Sequence, residues 1–326
     1  MDQSFQEIHK CFGFGCMRLP MKNGKVDLLQ FEKMVDGFLS EGFNYFDTAH
    51  GYLDGKSELA IKEGLAERYP RESYILTNKL TGMYFQKESE IRPFFENQLG
   101  WCGVGYFDFY LMHAQNAQEF EKFKRCRAYE TALQLKAEGK IRHFGISFHD
   151  KAVVLDRILT EYPGIEIVQI QFNYLDYEDQ SVESRKVYEV CKKHNKPILV
   201  MEPVKGGSLV KLPEDAQKIF DDLNRTEGTE RSNANFAIRF AAGFAGIRLV
   251  LSGMSDFEQM KDNLSYMKNF KPLNGTEQHA VDQVTGVFHG LDMIPCTACH
   301  YCIEENHCPA YELVREDPCA SVSQDL

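Results

Sequence analysis

Four residues in the first half of the chain are of types that can move a proton near neutral pH: Asp47, Tyr52, Lys79 and His113. A free phenol titrates near pH ~10, too high for efficient proton exchange at neutrality. A lysine ammonium beside it stabilises the phenolate and lowers that value. A lysine buried in such a site needs a counter-charge to stay protonated, which Asp47 can supply. His113 can donate a hydrogen bond to a carbonyl oxygen and hold it facing the tyrosine. Together the four would polarise a carbonyl and protonate its oxygen, leaving the carbon open to hydride attack.

A second group lies near the C-terminus. In "IPCTACHYCIEENHCPA" (294–310), Cys296, Cys299 and Cys302 stand at two-residue intervals, and Cys308 precedes Pro309. Such spacing lets three thiolates face one iron–sulfur cube, and the run resembles the bacterial ferredoxin pattern C-x₂-C-x₂-C-x₃-C-P. Here five residues separate Cys302 from Cys308, so the fourth ligand falls to Cys308, Cys319 or a cysteine near the N-terminus. Zinc is the alternative, held by Cys296, Cys299 and Cys302 or Cys308 with His300 or His307. Disulfides or unliganded thiols are the plainest reading.

The elements that must position the first group are a repeating beat of strand and helix. Apolar runs occur at 43–49, 74–80, 107–114, 141–148, 167–175, 197–204 and 247–253, β-branched or aromatic and without clean alternation. That is the pattern of strands buried on both faces. "LLQFEKMVDGFLSEG" puts Leu28, Phe31, Met34, Val35, Phe38 and Leu39 on one helical stripe that ends at Gly42. "SELAIKEGLAERY" starts a second helix with Ser57 as its expected cap, and further helices are expected over about 116–138, 150–161, 178–194, 232–244 and 255–268. With "FGFGCMRL" (12–19) as the first element, eight strands result. That number favours an α/β fold of the closed (β/α)₈ TIM-barrel type over an open sheet. The expected division is a barrel over 10–270 and a small C-terminal cysteine-rich extension over 271–326, with 205–230 an extended loop containing a helical piece. Asp47, Lys79 and His113 then fall at three successive strand ends, the face where barrel chemistry sits.

Composition narrows the class. A net charge of −11 without a Lys/Arg run argues against nucleic-acid binding. No stretch approaches the ~20 apolar residues of a membrane span. Ten cysteines without a secretory signal point to reduced thiols or metal ligands and a cytoplasmic setting. "GFGCMRLP" carries Gly13 and Gly15 but no third glycine, so it fails as a dinucleotide fingerprint.

The segment "FDTAHGYLDGKSE" resembles the signature of the aldo/keto reductase family, in which Asp-Thr-Ala precedes the catalytic tyrosine. "TNKL" and "FDFYLMHA" resemble the family's lysine and histidine strands, and "GISFHD", "VQIQFNYLD", "MEPVKGG" and "LSGMSDFEQMKDN" follow in family order over about 10–268. The resemblance implies Tyr52 as general acid/base, Lys79 as modulator of its pKa, Asp47 as the lysine's partner and His113 as carbonyl orienter. It implies a nicotinamide cofactor, NADP or NAD, extended across the barrel mouth, and a small carbonyl or alcohol substrate. Ser147 and Gln171 match the carboxamide-binding positions, and Gly206 and Gly207 match the pyrophosphate loop. Ser252, Gly253, Gln259 and Asn263 match the adenosine segment, with Gly15, Met17 and Arg18 in the entry segment near the cofactor.

The chain departs from the family pattern in three ways. Phe148 stands where an asparagine is frequent, Met201 replaces the aromatic that stacks on the nicotinamide, and Gly253 and Gln259 stand where NADPH-preferring members carry cations. Arg248, nearby in sequence, reads as a strand-start charge. A bacterial subgroup of the family carries a comparable cysteine-rich tail, which favours [4Fe–4S] for this one. Such a cube passes one electron at a time while hydride carries two, so coupling needs a mediator such as a flavin, and no flavin motif is present. The tail is left with the role of clamp, redox sensor or contact to a redox partner protein. The expectation is an NAD(P)H-dependent oxidoreductase. The rival is a low-turnover regulatory or electron-transfer protein on the same barrel.

Overall fold

The computed structural model describes residues 5–290. Eight parallel strands close on themselves: β1 (Phe12–Gly15), β2 (Tyr45–Asp47), β3 (Ile75–Leu80), β4 (Phe107–Gln115), β5 (Ile141–Phe148), β6 (Ile167–Gln171), β7 (Ile198–Met201) and β8 (Ile247–Gly253). β1 pairs with both β8 and β2, which removes the sheet edges. Each expected apolar run is a strand or contains one, including the glycine-rich first one. Gly13 shows why that run needs a glycine: a Cβ there would lie 2.8 Å from Leu251 Cδ2 and 2.9 Å from Leu249 Cδ2. A short antiparallel ribbon, Met21–Lys22 with Lys25–Val26, follows β1 and was not expected from the sequence.

Side chains alternate between two apolar layers. Tyr45, Ile75, Phe109, Leu111, Ile167 and Leu199 fill the barrel interior, while Phe14, Phe46, Leu76, Tyr110, Ile146 and Val200 face the helices. Residues before β1 close one end. Ile8 joins the interior cluster, Phe5 packs edge-on against Phe109, and the Arg248 guanidinium donates to the carbonyls of Phe5 (2.8 Å) and Ile8 (2.5 Å). Arg248 therefore serves the closed end, as its strand-start position suggested.

The helices are α1 (Leu28–Ser40), α2 (Lys56–Ile61), α3 (Glu88–Cys102), α4 (Ala117–Arg125), α5 (Ala128–Ala137), α6 (Ala152–Glu161), α7 (Ser184–Lys193), α8 (Glu214–Glu227), α9 (Asn233–Ala242), α10 (Phe257–Met267) and α11 (Gly275–Gly290). α1 buries Phe31, Met34, Val35 and Phe38 from the expected stripe, and Asp27 caps it by accepting from Gln30 N at 3.2 Å. Ser57 is not a cap. Left-handed residues Leu53, Asp54 and Gly55 bring the chain into α2 two residues earlier, with Gly55 at the cap position, and the Ser57 hydroxyl instead donates to Cys16 O at 2.8 Å. The expected helix over 116–138 breaks in two at Arg127 (φ 51°). α7 starts late because Asp179 Oδ1 accepts from Ser181 N and Val182 N, a local turn competing with helix. α3, which carries Pro93 inside it, was not anticipated.

Beyond residue 270 the chain forms α11, which packs on α8 and buries Ala280, Val281 and Val284. Glu277 in its first turn accepts from Arg239 Nη1 (2.7 Å) and Nη2 (2.8 Å), so a two-pronged ion pair ties it to α9. Among the described residues, no helix is long and apolar enough to cross a membrane.

Candidate active site

Strand register explains how the distant chemistry-bearing residues meet. Asp47 pairs with Thr77, two residues before Lys79, and Lys79 pairs with Leu111, two residues before His113. A step of two preserves the face, so all three side chains point inward at successive ends. Lys79 is fully buried. Its ammonium donates to Asp47 Oδ1 at 2.5 Å, to Thr48 O at 3.0 Å and to Tyr52 OH at 3.1 Å, which uses all three of its hydrogens. Gln169 Nε2 donates to the other Asp47 oxygen at 3.3 Å. The Tyr52 and His113 rings stand edge-to-face with centroids 6.0 Å apart, and His113 Nδ1 lies 2.6 Å from Thr81 Oγ1.

Burial is the largest single influence on the ionisation of these groups. On its own it would lower Lys79, but the charges and hydrogen bonds of Asp47 and Tyr52 outweigh it, and the ammonium is held above its ordinary value. His113 is pushed well below the ordinary histidine range by burial, then by Lys79 and His149, so its ring is neutral. For Tyr52 the sequence led to the expectation of a lowered phenol. Burial raises it, Lys79 lowers it, Asp47 adds to the rise, and the net position is above the ordinary value. Lys79 thus limits the rise rather than producing a net fall.

Around the four, the strand ends assemble an open rim. Gly15 pairs with Asp47 on one side and Gly253 on the other. The Arg18 stem lies against Gly253, whose Cβ would sit 3.2 Å from Arg18 Cβ, and its Nη2 reaches to 3.5 Å of where a Cβ on Gly206 would be. Gly206 and Gly207 both have positive φ, and a Cβ placed on Gly207 would meet nothing within 4 Å. Ser147, buried at the end of β5, accepts from Ala114 N at 2.8 Å and pairs in register with Gln169. Gln171 pairs with Met201 one layer nearer the rim, and its Nε2 donates to Asp176 Oδ2 at 2.7 Å. Ser252 Oγ meets Asn263 Nδ2 at 3.5 Å. Gln259 is exposed and accepts from Ser255 N, and Met17 is exposed beside Arg18. Phe148 is buried among the outer-layer residues.

Several members of this site were not singled out in the sequence. Gln169 faces inward two positions before Gln171, and period-two counting from Gln171 would have found it. Thr81, which holds His113, carries no local signal, and neither does the Asp176–Lys205 ion pair that lies beside the site without touching its four ionisable residues. Nor do the left-handed residues Leu53, Asp54, Ala114, Glu202 and Lys205, which fall in the loops after β2 and β7 and in the last stretch of chain within β4. Non-glycine residues in that conformation persist only where their surroundings hold them, typically at functional sites.

Cys296, Cys299, Cys302 and Cys308 lie outside the described residues, as do His300, His307 and Cys319. Among the described residues, Cys11, Cys16, Cys102, Cys126 and Cys191 are free, and no group of three or more His, Cys, Asp or Glu could hold a metal ion.

The closed eight-stranded barrel thus sets a buried Lys–Asp pair against a tyrosine at the ends of its strands, an arrangement chemically able to pass a proton. Residues 12–285 match the model of the aldo/keto reductase family, and the chain belongs to that family. It is 27% identical over 187 residues to the NADH-specific methylglyoxal reductase of Escherichia coli (strain K12), a match covering 52% of this chain and 54% of that protein. The match thus spans about half of that relative's length. It is 22% identical over 281 residues to an uncharacterized oxidoreductase of Bacillus subtilis (strain 168), covering 77% and 85%. Among solved structures, an aldo-keto reductase from Klebsiella pneumoniae in complex with NADPH superposes with a TM-score of 0.68 at 18% identity, covering 84% of this chain and 90% of that one. The holo form of an aldo-keto reductase from Bacillus halodurans gives 0.66 at 24%, covering 84% and 91%.

Proposed function

We propose that this protein is a nicotinamide-dependent oxidoreductase that interconverts a small carbonyl compound and its alcohol at the barrel mouth. The observation that carries the reading is the fully buried Lys79, whose ammonium is divided between Asp47 and the Tyr52 hydroxyl. A buried cation held against a phenol stabilises the phenolate left when the proton departs. Tyr52 is then the proton donor to a carbonyl oxygen and the acceptor in reverse. His113, neutral and engaged by Thr81 at Nδ1, offers Nε2 to the same oxygen. Asp47, oriented by Gln169, keeps Lys79 charged.

The residues at the rim suit an NADP or NAD cofactor. Arg18 lies between two glycines that leave backbone bare, a cationic lane for a diphosphate. Ser147, Gln169 and Gln171 offer polar groups for a carboxamide, and Met201 can pack on a ring face in place of an aromatic. When bound, the nicotinamide supplies the hydride that the carbonyl carbon accepts. Gly253 and Gln259 bring no cation to a 2′-phosphate, so both cofactors belong in the test.

The C-terminal cysteines extend this reading. Their spacing supports a [4Fe–4S] site with zinc as the alternative, in an extension that would meet a redox partner protein. The free thiols of the barrel agree with a reducing, cytoplasmic setting.

The test follows oxidation of NADPH and NADH by purified protein over a panel of aldehydes and ketones. Turnover with at least one pair is expected, and none with any pair would defeat the reading. Iron and sulfide analysis of anaerobically purified protein tests the extension: stoichiometric iron supports the cluster, and zinc or no metal removes it.

A further inference from the structure

Between the ends of β6 and β7 lies a buried ion pair that the proton-transfer chemistry does not use. Asp176 is 1% exposed and Lys205 8%, and their side chains meet directly. Asp176 also accepts from Gln171 Nε2 at 2.7 Å and Asn173 Nδ2 at 2.6 Å. Asn173 in turn reaches Glu202 O at 3.1 Å, so the cluster bridges the β6 end to the loop after β7. That loop is strained: Glu202 has φ 55° and Lys205 φ 48°, and Gly206 and Gly207 follow with positive φ.

Two physical points give the pair a task. A buried ion pair is a weak source of stability, since its desolvation cost rivals its attraction, and apolar replacements are often as stable. What it does supply is geometry. Left-handed backbone at a lysine is strained and survives only where neighbours over-determine it. The Lys205 head group, fixed on Asp176, is such a determinant. A carboxylate can only accept, so it also takes the NH₂ of Gln171 and leaves that residue's carbonyl oxygen for the mouth.

We infer that Asp176 and Lys205 are positioning residues, a latch that holds the loop 201–207 and the Gln171 amide in the arrangement that receives the nicotinamide cofactor. The inference rests on the functional reading above. It differs in what it requires: the latch governs how tightly cofactor is held and leaves the proton-transfer groups untouched.

The experiment titrates NADPH and NADH into wild type, Lys205→Met, Lys205→Arg and the double variant Asp176→Leu/Lys205→Met, reading fluorescence quenching for Kd, together with kcat at saturating cofactor. Lys205→Met should weaken cofactor binding by about tenfold or more, the range of a typical coupling between sites. Lys205→Arg should recover part of the loss, and kcat should stay within about threefold of wild type, because a purely positional loss is made good by excess cofactor. Backbone amides of Gly207, Ser208 and Leu209 should exchange faster in the cofactor-free variant, while the strands do not. The double variant keeps an apolar pair in the buried site, so it folds if the single one does not, and it should bind cofactor as weakly. Folded variants with wild-type affinity, or a kcat that falls as far as affinity, would overturn the latch. Wild type that binds neither cofactor would overturn the functional reading itself, a separate outcome.

Discussion

Replacing Lys79 by Met removes the cation 3.1 Å from the Tyr52 oxygen while keeping an unbranched side chain in the same space. Two unit charges at that distance interact by about 5 kcal/mol at an effective dielectric near 20. The phenol carries only part of a charge in the transition state, so about half of that is a lower bound on the loss. At ~1.4 kcal/mol per tenfold, kcat should fall by roughly 10² to 10⁴. A second consequence has a definite sign. Lys79 pulls the phenol down against burial, so its loss moves the alkaline limb of kcat/KM to higher pH. The assay is steady-state carbonyl reduction over a pH series at saturating cofactor, with cofactor affinity as the control. The variant strips Asp47 of its partner, and denaturant unfolding should show a loss of about 3–5 kcal/mol. A folded Lys79→Met protein within tenfold of wild type, with an unmoved alkaline limb, would refute the reasoning.

Three further outcomes follow from the same geometry. His113 is held neutral by burial and by Lys79, so ¹⁵N NMR of its ring should show no protonation from pH ~8 down through its ordinary pKa of ~6.5. In the unfolded chain that ring does take a proton there, so this group's share of stability declines as pH falls below ~6.5. A ring titrating near 6.5 would contradict both statements. Glu277→Ala leaves the Arg239 guanidinium, buried beneath α11, without its two-pronged partner, and should cost roughly 3–5 kcal/mol by urea unfolding. Gly13→Ala sets a methyl 2.8 Å from Leu251 in a filled interior, and a loss of about 1–3 kcal/mol is expected by thermal unfolding.

The barrel was legible in the sequence because strands buried on both faces leave continuous apolar runs at regular intervals. The grouping of four ionisable side chains was legible because Asp47, Lys79 and His113 stand near the ends of three such runs, and Tyr52 follows in the loop after the first. What escaped has nonlocal causes. α3 contains Pro93, whose helix-breaking character obscured its periodicity. Ser57 has the right type for a cap, but three left-handed residues upstream reassigned it. The direction of the Tyr52 shift depended on the depth of burial, which no spacing encodes. Asp176 became visible only through the partners brought to it by loop closure.

The central claim is that Tyr52 delivers the proton when a carbonyl is reduced at this mouth. It is tested most directly by single-turnover reduction of an accepted aldehyde with nicotinamide deuterated at C4, comparing wild type with Tyr52→Phe. Deuterium on the carbinol carbon is expected with wild type. In the variant the rate should be lower by about 10²–10⁴, the usual worth of a positioned acid, at unchanged cofactor affinity. A Tyr52→Phe protein that transfers deuterium as fast as wild type would contradict it.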